Sequence, residues 1–281
     1  MGKYIRLFRL QDQYLAFSSV IAAGLFAGIR NWSIFWWAIG VVLLSISAFI
    51  VNEITDRNDT DRLSWNNIHI RKNDILDKRV VLLMFITCSL VGLALSWYVG
   101  FIWWAVVIYA IALSYSLEPI RLKRRFGLDL ISQIVATWML PFFAPLWGKA
   151  NVNFIAAFSI ISSLAILAGM FPYQIADTQA DEKAGLANTH VVLGIDRSLV
   201  SGLVLAAAAG ILYLVFNMYS WATFTIPIII QLPILLVFYG IWISLSGRGA
   251  QQIVSLQRGV KVVKFLTQMG AIYLFVLWIL F

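Results

Sequence analysis

The sequence predicts an all-α, polytopic membrane protein in which nine transmembrane helices form one bundle. Three observations support this fold class. Apolar residues make up 61% of the chain and charged residues only 12%, whereas soluble domains carry about 25% charged residues. Long apolar runs recur from end to end, and nearly all charges fall between alternate runs. We therefore treat residues 1–281 as one membrane domain without a separate soluble domain.

The apolar runs have the lengths that membrane-spanning helices need. They cover residues 13–29, 33–51, 80–98, 101–117, 130–148, 153–172, 198–217, 221–243 and 262–281. A helix rises about 1.5 Å per residue, so roughly 20 apolar residues cross about 30 Å of hydrocarbon. The first residues are polar and basic, and no cleavage pattern of small residues follows the first run, so we expect no signal peptide.

The charges indicate which ends of these helices share a side of the membrane. Of the 21 Lys and Arg residues, only Arg30 and Lys149 fall on the side with the short loops, and all 13 Asp and Glu residues lie on the other side. The positive-inside rule makes the charged side, with the N-terminus, cytoplasmic. The net charge of +8 is thus a signal of topology, and we do not expect binding to nucleic acid.

The first of two acidic motifs continues the second apolar run. On a helix, residues at i, i+4 and i+7 share one face, and Asn52, Asp56 and Asp59 have this spacing, whereas Asp61 lies off it and Glu53 at its edge. An amide oxygen and two carboxylates form a ligand set suited to Mg²⁺. We expect these acids to lie at a wet helix end, where carboxylates beside a membrane usually mark a functional site.

The second acidic motif follows the sixth apolar run. Asp177 and Asp181 are spaced i and i+4, and Gln174 lies one turn earlier. Because Mg²⁺ shares its coordination between a few carboxylates and substrate phosphates, two such motifs facing each other predict a bound diphosphate. Lys183, two residues after Asp181, is a candidate contact to that phosphate.

A cationic loop follows the fourth apolar run. It contains Arg121, Lys123, Arg124 and Arg125. Arginine binds phosphate oxygens in a bidentate manner and lysine acts as a point charge. We expect Arg121 and Lys123 to contact diphosphate and assign Arg124 and Arg125 to the positive-inside bias.

These motifs together resemble the UbiA superfamily of intramembrane prenyltransferases over essentially the whole chain. Asn52 and Asp56 match its motif after the second helix, and Asp177 and Asp181 match its motif after the sixth. The resemblance extends to the residues around these motifs: Arg57, the segment 115–123, Gly185, Thr189, Leu193 and Gly194.

The chain also departs from the family pattern. The second position of the first motif is Glu53 instead of Asp, which keeps a carboxylate. Where the family motif has its last Asp, this chain has Thr60. Helical phase favours Asp59 over Asp61 as the substitute for that Asp. The segment 63–72 lacks the Arg-Pro element that often follows in the family.

The resemblance implies Mg²⁺-dependent transfer of an isoprenyl group from a prenyl diphosphate to a lipophilic acceptor in the membrane. The metal ligands that it implies are Asn52, Asp56, Asp59, Asp177 and Asp181, of which Asp56, Asp177 and Asp181 are also assigned to catalysis. The implied diphosphate contacts are Arg57, Arg121, Lys123 and Lys183. Tyr115 and Gln174 are possible further substrate contacts.

One alternative function is that of a terpene cyclase, which ionises the same diphosphate without an acceptor. A second alternative is a transporter that uses the carboxylates as ion sites, although transporter sites usually lie near the bilayer midplane.

Three further residues are expected to be structural. His69 and His190 stand alone near the charged side, and we expect each to be a surface or capping residue. Cys88 lies inside an apolar run and is expected to be a small core residue, which excludes a disulfide framework.

Overall fold

The computed structural model describes most of the first three quarters of the chain. The described residues are 7–29, 31–56, 77–149, 152–175 and 177–218, with Tyr4, Ile272, Phe275, Val276, Trp278 and Ile279. Across these ranges the structure is helical and has no β-strand beyond one isolated bridge between Arg125 and Ala187. The all-α prediction is therefore confirmed for the part of the chain that the structure describes.

Eight helices follow one another in the described ranges. They are α1 (Tyr14–Phe26), α2 (Trp32–Asp56), α3 (Lys78–Tyr98), α4 (Ile102–Ser116), α5 (Leu128–Leu146), α6 (Val152–Ile175), α7 (Thr178–Lys183) and α8 (Thr189–Met218). Helices α2, α3, α5, α6 and α8 are long and apolar enough to cross a membrane, while α1 and α4 are apolar but shorter. These helices agree with an integral membrane protein.

The first seven predicted apolar runs each coincide with one of these helices. The eighth run, 221–243, lies outside the described residues, as does most of the ninth, 262–281. Two residues of the ninth run pack on the start of the bundle: Trp278 Nε1 donates to the carbonyl oxygen of Ile29 at 3.1 Å, and Phe275 contacts Phe17 with ring centroids 5.5 Å apart. The total of nine helices stays a prediction.

Helix α2 lies at the centre of the first half of the bundle, because it packs against α1, α3 and α4. Its fully buried Trp37 donates an Nε1 hydrogen bond to the carbonyl oxygen of Pro141 at 3.2 Å. Pro145, four residues after Pro141, has no N–H with which to bond that carbonyl. The indole thus satisfies a buried backbone acceptor that the proline leaves open, and it ties α2 to α5.

Close packing of α2 against α3 depends on small residues. A Cβ atom on Gly92 would lie 2.9 Å from the side chain of Leu44 and 3.0 Å from the carbonyl oxygen of Gly40. Small residues allow helix backbones to approach closely in membranes, where the hydrophobic effect does not drive helices together. This contact fixes the position of α2, which carries the first acidic motif at its end.

Helix α8 begins at Thr189, nine residues before the apolar run predicted at 198–217. The side chain of Asn188 accepts a hydrogen bond from the backbone N–H of Val191 at 3.2 Å and so caps the helix. A bend follows at Gly194, whose φ of 74° is readily adopted only by glycine. The first turn of α8 therefore lies beside the second acidic motif, and α8 then continues against α6.

Candidate active site

The first acidic motif occupies the last turn of α2. Asn52 Oδ1 accepts a 2.7 Å hydrogen bond from Ser116 Oγ, at the end of α4. Asp56 is only 7% exposed, so the expectation of a wet helix end is wrong for this carboxylate. The reason is that the cationic loop between α4 and α5 folds over the end of α2. Asp59 and Arg57, together with Asp61 and His69, lie outside the described residues.

Glu53 forms a buried ion pair with the N-terminal segment. Arg9 Nη2 lies 2.7 Å from Glu53 Oε2, and the Arg9 guanidinium carbon is 5.3 Å from the centroid of the Phe49 ring. The carboxylate that replaces the family's Asp is thus engaged by a cation. Sequence reasoning missed Arg9, because 44 residues separate it from its partner and no spacing links them.

The cationic loop places two buried cations against Asp56. Lys123 Nζ is in direct contact with Asp56 Oδ1, and Arg121 Nη2 lies 3.9 Å from the same oxygen. Arg121 also donates from Nη1 to Glu118 Oε1 at 3.1 Å. Lys123 and Arg121 are 5% and 7% exposed, so both predicted diphosphate contacts lie inside the site.

The backbone of Arg121 adopts a left-handed conformation, with φ 36° and ψ 64°. For a residue other than glycine, such a conformation costs about 1–3 kcal/mol, and residues in such conformations cluster at functional sites. The turn at Arg121 brings Lys123 back towards Asp56. The strained backbone at Arg121 thus helps to place Lys123 next to Asp56.

Burial also changes the ionisation of this lysine. It lowers the pKa of Lys123 to about 7, with further lowering by the charges of Arg124 and Arg9 and an opposing effect of Asp181. The charge of Asp181 thus acts on the same lysine that Asp56 contacts. That the two acidic motifs face each other stays a prediction.

The second acidic motif starts a new helix instead of continuing α6. Helix α6 ends at Ile175, and Asp177 immediately precedes the short helix α7. Gln174 therefore belongs to a different helix from the two acids, although its carbonyl oxygen accepts from the N–H of Asp177 at 2.9 Å. Its side-chain Oε1 is buried and has no hydrogen-bond partner among the described residues.

The side chains of the second motif have different surroundings. Asp181 is half-buried, and its Oδ2 lies 2.8 Å from both Asn188 Nδ2 and His190 Nε2. His190 is only 3% exposed, so the expectation of a surface histidine is wrong: the start of α8 folds back over α7 and buries it. Lys183 ends α7 and is exposed, and its contact with phosphate stays a prediction.

A buried network joins the cationic loop to the loop that follows the second motif. Asp129, on α5, accepts from the backbone N–H of Thr189 at 3.1 Å and from its hydroxyl, and the backbone N–H of Gly127 donates to Thr189 Oγ1 at 2.8 Å. The bridge between Arg125 and Ala187 lies beside it. This network holds together two segments about 60 residues apart, and no sequence pattern identified it.

Tyr115 lies at the end of α4, one residue before Ser116. Its hydroxyl accepts a hydrogen bond from Gln133 Nε2 on α5. Gln133 lies two residues before a π-helical turn at Val135–Met139, and such turns occur frequently at functional sites. Sequence reasoning identified Tyr115 but not Gln133.

The donor set fits a divalent cation shared with an anionic ligand better than a closed protein site. Among the described residues no group of three or more His, Cys, Asp or Glu side chains is arranged to bind a metal alone. The first acidic motif offers Asn52 and Asp56, and the second offers Asp177 and Asp181, while Mg²⁺ commonly takes few protein ligands and completes its shell with phosphate and water. The buried cations Arg121 and Lys123 beside Asp56 favour an anion.

The fold of the chain is similar to that of several solved structures. A UbiA homologue from Archaeoglobus fulgidus bound to DMAPP and Mg²⁺ is 20% identical, with a TM-score of 0.70 over 97% of this chain and 98% of that one. The same comparison with the GPP- and Mg²⁺-bound form gives 20% identity and a TM-score of 0.69, over 97% and 99%. A structure of digeranylgeranylglyceryl phosphate synthase is 16% identical, with a TM-score of 0.65 over 100% and 99%.

These structures establish a shared fold, and Mg²⁺, the predicted cofactor, is present in two of them. No curated protein sequence matches the chain. The profile of the UbiA prenyltransferase family matches residues 15–267, which is most of the sequence and includes both acidic motifs and the cationic loop. The family predicted from the sequence, and with it the prediction of a prenyltransferase, is thereby confirmed: the chain belongs to the UbiA prenyltransferase family.

Proposed function

We propose that this protein transfers an isoprenyl group from a prenyl diphosphate to a lipophilic acceptor in the membrane, in a Mg²⁺-dependent reaction. The observation that carries this proposal is the contact of buried Lys123 with Asp56 of the first acidic motif, at a position where the charge of Asp181 of the second motif also acts on it. Solved relatives of the same fold bind DMAPP or GPP with Mg²⁺, which supports the same ligands here.

In the proposed site, Asn52 and Asp56 of the first acidic motif and Asp177 and Asp181 of the second would hold Mg²⁺, with Asp59 a further predicted ligand. Bound Mg²⁺ would act as a Lewis acid that stabilises charge on the departing diphosphate. The Asn52 side chain is already oriented by Ser116. In this proposal, the oxygen atoms that bind Mg²⁺ come from the end of α2 and from the region around the start of α7.

Arg121 and Lys123 bind the diphosphate in this proposal. The allylic C–O bond breaks, and diphosphate leaves with the electron pair. Preorganised cations stabilise that developing charge most strongly where water is excluded, and both side chains are buried. Arg57 and Lys183 are further predicted diphosphate contacts.

The apolar portion of the substrate would lie in the bundle interior. Phe142 and Phe158 lie inside it with ring centroids 5.2 Å apart, and Trp138 stacks on Phe142 at 6.1 Å. Aromatic faces stabilise cations, and a water-free interior protects an allylic cation from hydrolysis. Tyr115 and Gln174 are the proposed polar contacts. The acceptor attacks the cation and loses a proton.

The experiment for this proposal is product analysis on purified protein in lipid vesicles. Prenyl diphosphates of several lengths are supplied with Mg²⁺, with and without a membrane lipid extract, and diphosphate release and prenylated products are measured by mass spectrometry. We expect acceptor-dependent products and loss of activity with a chelator that is reversed by Mg²⁺. A cyclic hydrocarbon formed without extract would instead indicate the terpene cyclase, and absence of diphosphate release with every substrate would contradict the proposal.

We also propose that the site opens to the cytoplasm. Lys149 is exposed shortly before α6 begins, and Lys183 is exposed at the end of α7, which follows the other end of α6, so the two form a matched pair for labelling. In a Cys88→Ser background, Lys183→Cys is expected to react with a membrane-impermeant thiol reagent only from the cytoplasmic side, and Lys149→Cys only from the other. Labelling of both from one side would contradict this topology.

A further inference from the structure

One oxygen of Asp181 is held by two side chains, while the other is not. Asn188 Nδ2 donates to Oδ2 at 2.8 Å, and His190 Nε2 lies 2.8 Å from the same oxygen. An ionised carboxylate only accepts hydrogen bonds, so His190 donates from Nε2. Oδ1 of Asp181 has no hydrogen-bond partner among the described residues.

The two donors are themselves rigidly placed. Asn188 caps α8 through its Oδ1, so its amide group has one orientation in which Nδ2 points to Asp181. His190 lies in the first turn of α8 and is only 3% exposed. Between them, Thr189 is anchored to buried Asp129 on α5. The segment that holds Asp181 is therefore connected, through the hydrogen bond between Thr189 and Asp129, to the end of the cationic loop.

We propose that Asn188 and His190 are positioning residues that direct Oδ1 of Asp181 towards the Mg²⁺–diphosphate complex. This inference rests on the proposed function, in which Asp181 is a metal ligand. By engaging Oδ2, the two donors fix the carboxylate plane and prevent Oδ2 from competing with Oδ1 for the cation. Hydrogen-bond partners of metal ligands typically change metal affinity about 10- to 100-fold when they are removed.

A purely structural role would have a different signature. If the two side chains only fastened α7 to α8, their removal would lower thermal stability but leave the metal affinity of the folded protein unchanged. Metal affinity and stability therefore have to be measured on the same preparations.

The test compares His190→Ala with His190→Gln and Asn188→Ser. Glutamine can place an N–H donor near the position of His190 Nε2. Serine can cap α8 through its hydroxyl but is too short to reach Asp181. Binding of Mn²⁺ in the presence of a prenyl diphosphate is followed by electron paramagnetic resonance, and the Mg²⁺ concentration for half-maximal turnover is measured in parallel.

We expect His190→Ala and Asn188→Ser each to weaken Mn²⁺ binding and raise the half-saturating Mg²⁺ concentration about 10- to 100-fold, with a smaller change in the KM for prenyl diphosphate at saturating Mg²⁺. His190→Gln should recover most of the loss. Metal affinities within twofold of wild type in folded Asn188→Ser and His190→Ala would overturn the inference, and so would failure of His190→Gln to improve on His190→Ala.

Two controls separate this inference from the function on which it depends. Asp181→Ala should bind Mn²⁺ more weakly than any of the positioning variants. If wild-type protein bound no Mn²⁺ with any prenyl diphosphate, the proposed function would fail. If wild type bound it and only the positioning variants were unchanged, the inference alone would fail. Should His190→Ala not fold, Asn188→Ser decides: unchanged metal affinity in this variant would overturn the inference.

Discussion

Replacing Asp56 by asparagine is expected to reduce Mg²⁺-dependent release of diphosphate by about 10²–10³-fold, the size of loss seen when one group that stabilises transition-state charge is removed. Asp56 is the one described carboxylate of the first motif that is in contact with Lys123. The change therefore removes a proposed metal ligand and also leaves buried cations without their carboxylate. Asparagine keeps the shape of the side chain, which limits rearrangement.

The measurement is the rate of diphosphate release by wild type and variant at saturating Mg²⁺, with thermal unfolding in detergent recorded for both. Asp77→Asn is the matched control, because Asp77 caps α3 and is not one of the proposed ligands, and asparagine also caps well. Asp177→Asn is expected to show a loss similar to that of Asp56→Asn. Rates for both motif variants close to that of Asp77→Asn would show that the carboxylates do not form the site.

Replacing Lys123 by glutamine is expected to lower kcat/KM for prenyl diphosphate by about 10- to 100-fold. Hydrogen bonds to charged groups contribute about 1.5–3 kcal/mol, and Lys123 is buried and in contact with Asp56. Glutamine can still donate a hydrogen bond but carries no charge, so the loss reports the electrostatic part of diphosphate binding.

Arg125→Gln removes a positive charge from the same loop and is the control for Lys123→Gln. Arg125 is exposed, and its Nη2 contacts only the carbonyl oxygen of Pro119, at 3.4 Å. Its replacement should change kcat/KM less than threefold. Equal losses in the two variants would indicate a general effect of loop charge, and an unchanged kcat/KM in Lys123→Gln would contradict its role in the site.

The sequence predicted the parts of this protein that depend on local pattern. The apolar runs gave the positions of the described helices because span length follows from bilayer thickness. The i, i+4 spacing placed Asn52 and Asp56 on one face of α2, and the contact of Lys123 with Asp56 agrees with the predicted meeting of cationic loop and acidic motif.

Contacts between distant segments could not be predicted in the same way. The ion pair of Arg9 with Glu53 and the network of Asp129 with Thr189 join residues 44 and 60 positions apart, and no periodicity relates them. His190 looked like a surface residue because a lone histidine near a charged loop carries no signal of burial. The position of Asp177 just before α7, outside α6, was equally invisible in the i, i+4 spacing.

The most direct test of the central claim is Mg²⁺-dependent binding of a non-ionisable prenyl thiodiphosphate, measured without turnover. If the two acidic motifs hold one metal–diphosphate complex, wild type will bind the analogue only with Mg²⁺, and Asp56→Asn and Asp181→Asn will each abolish the Mg²⁺-dependent component. Tight binding that is independent of Mg²⁺, or Mg²⁺-dependent binding that survives in both variants, would contradict the claim.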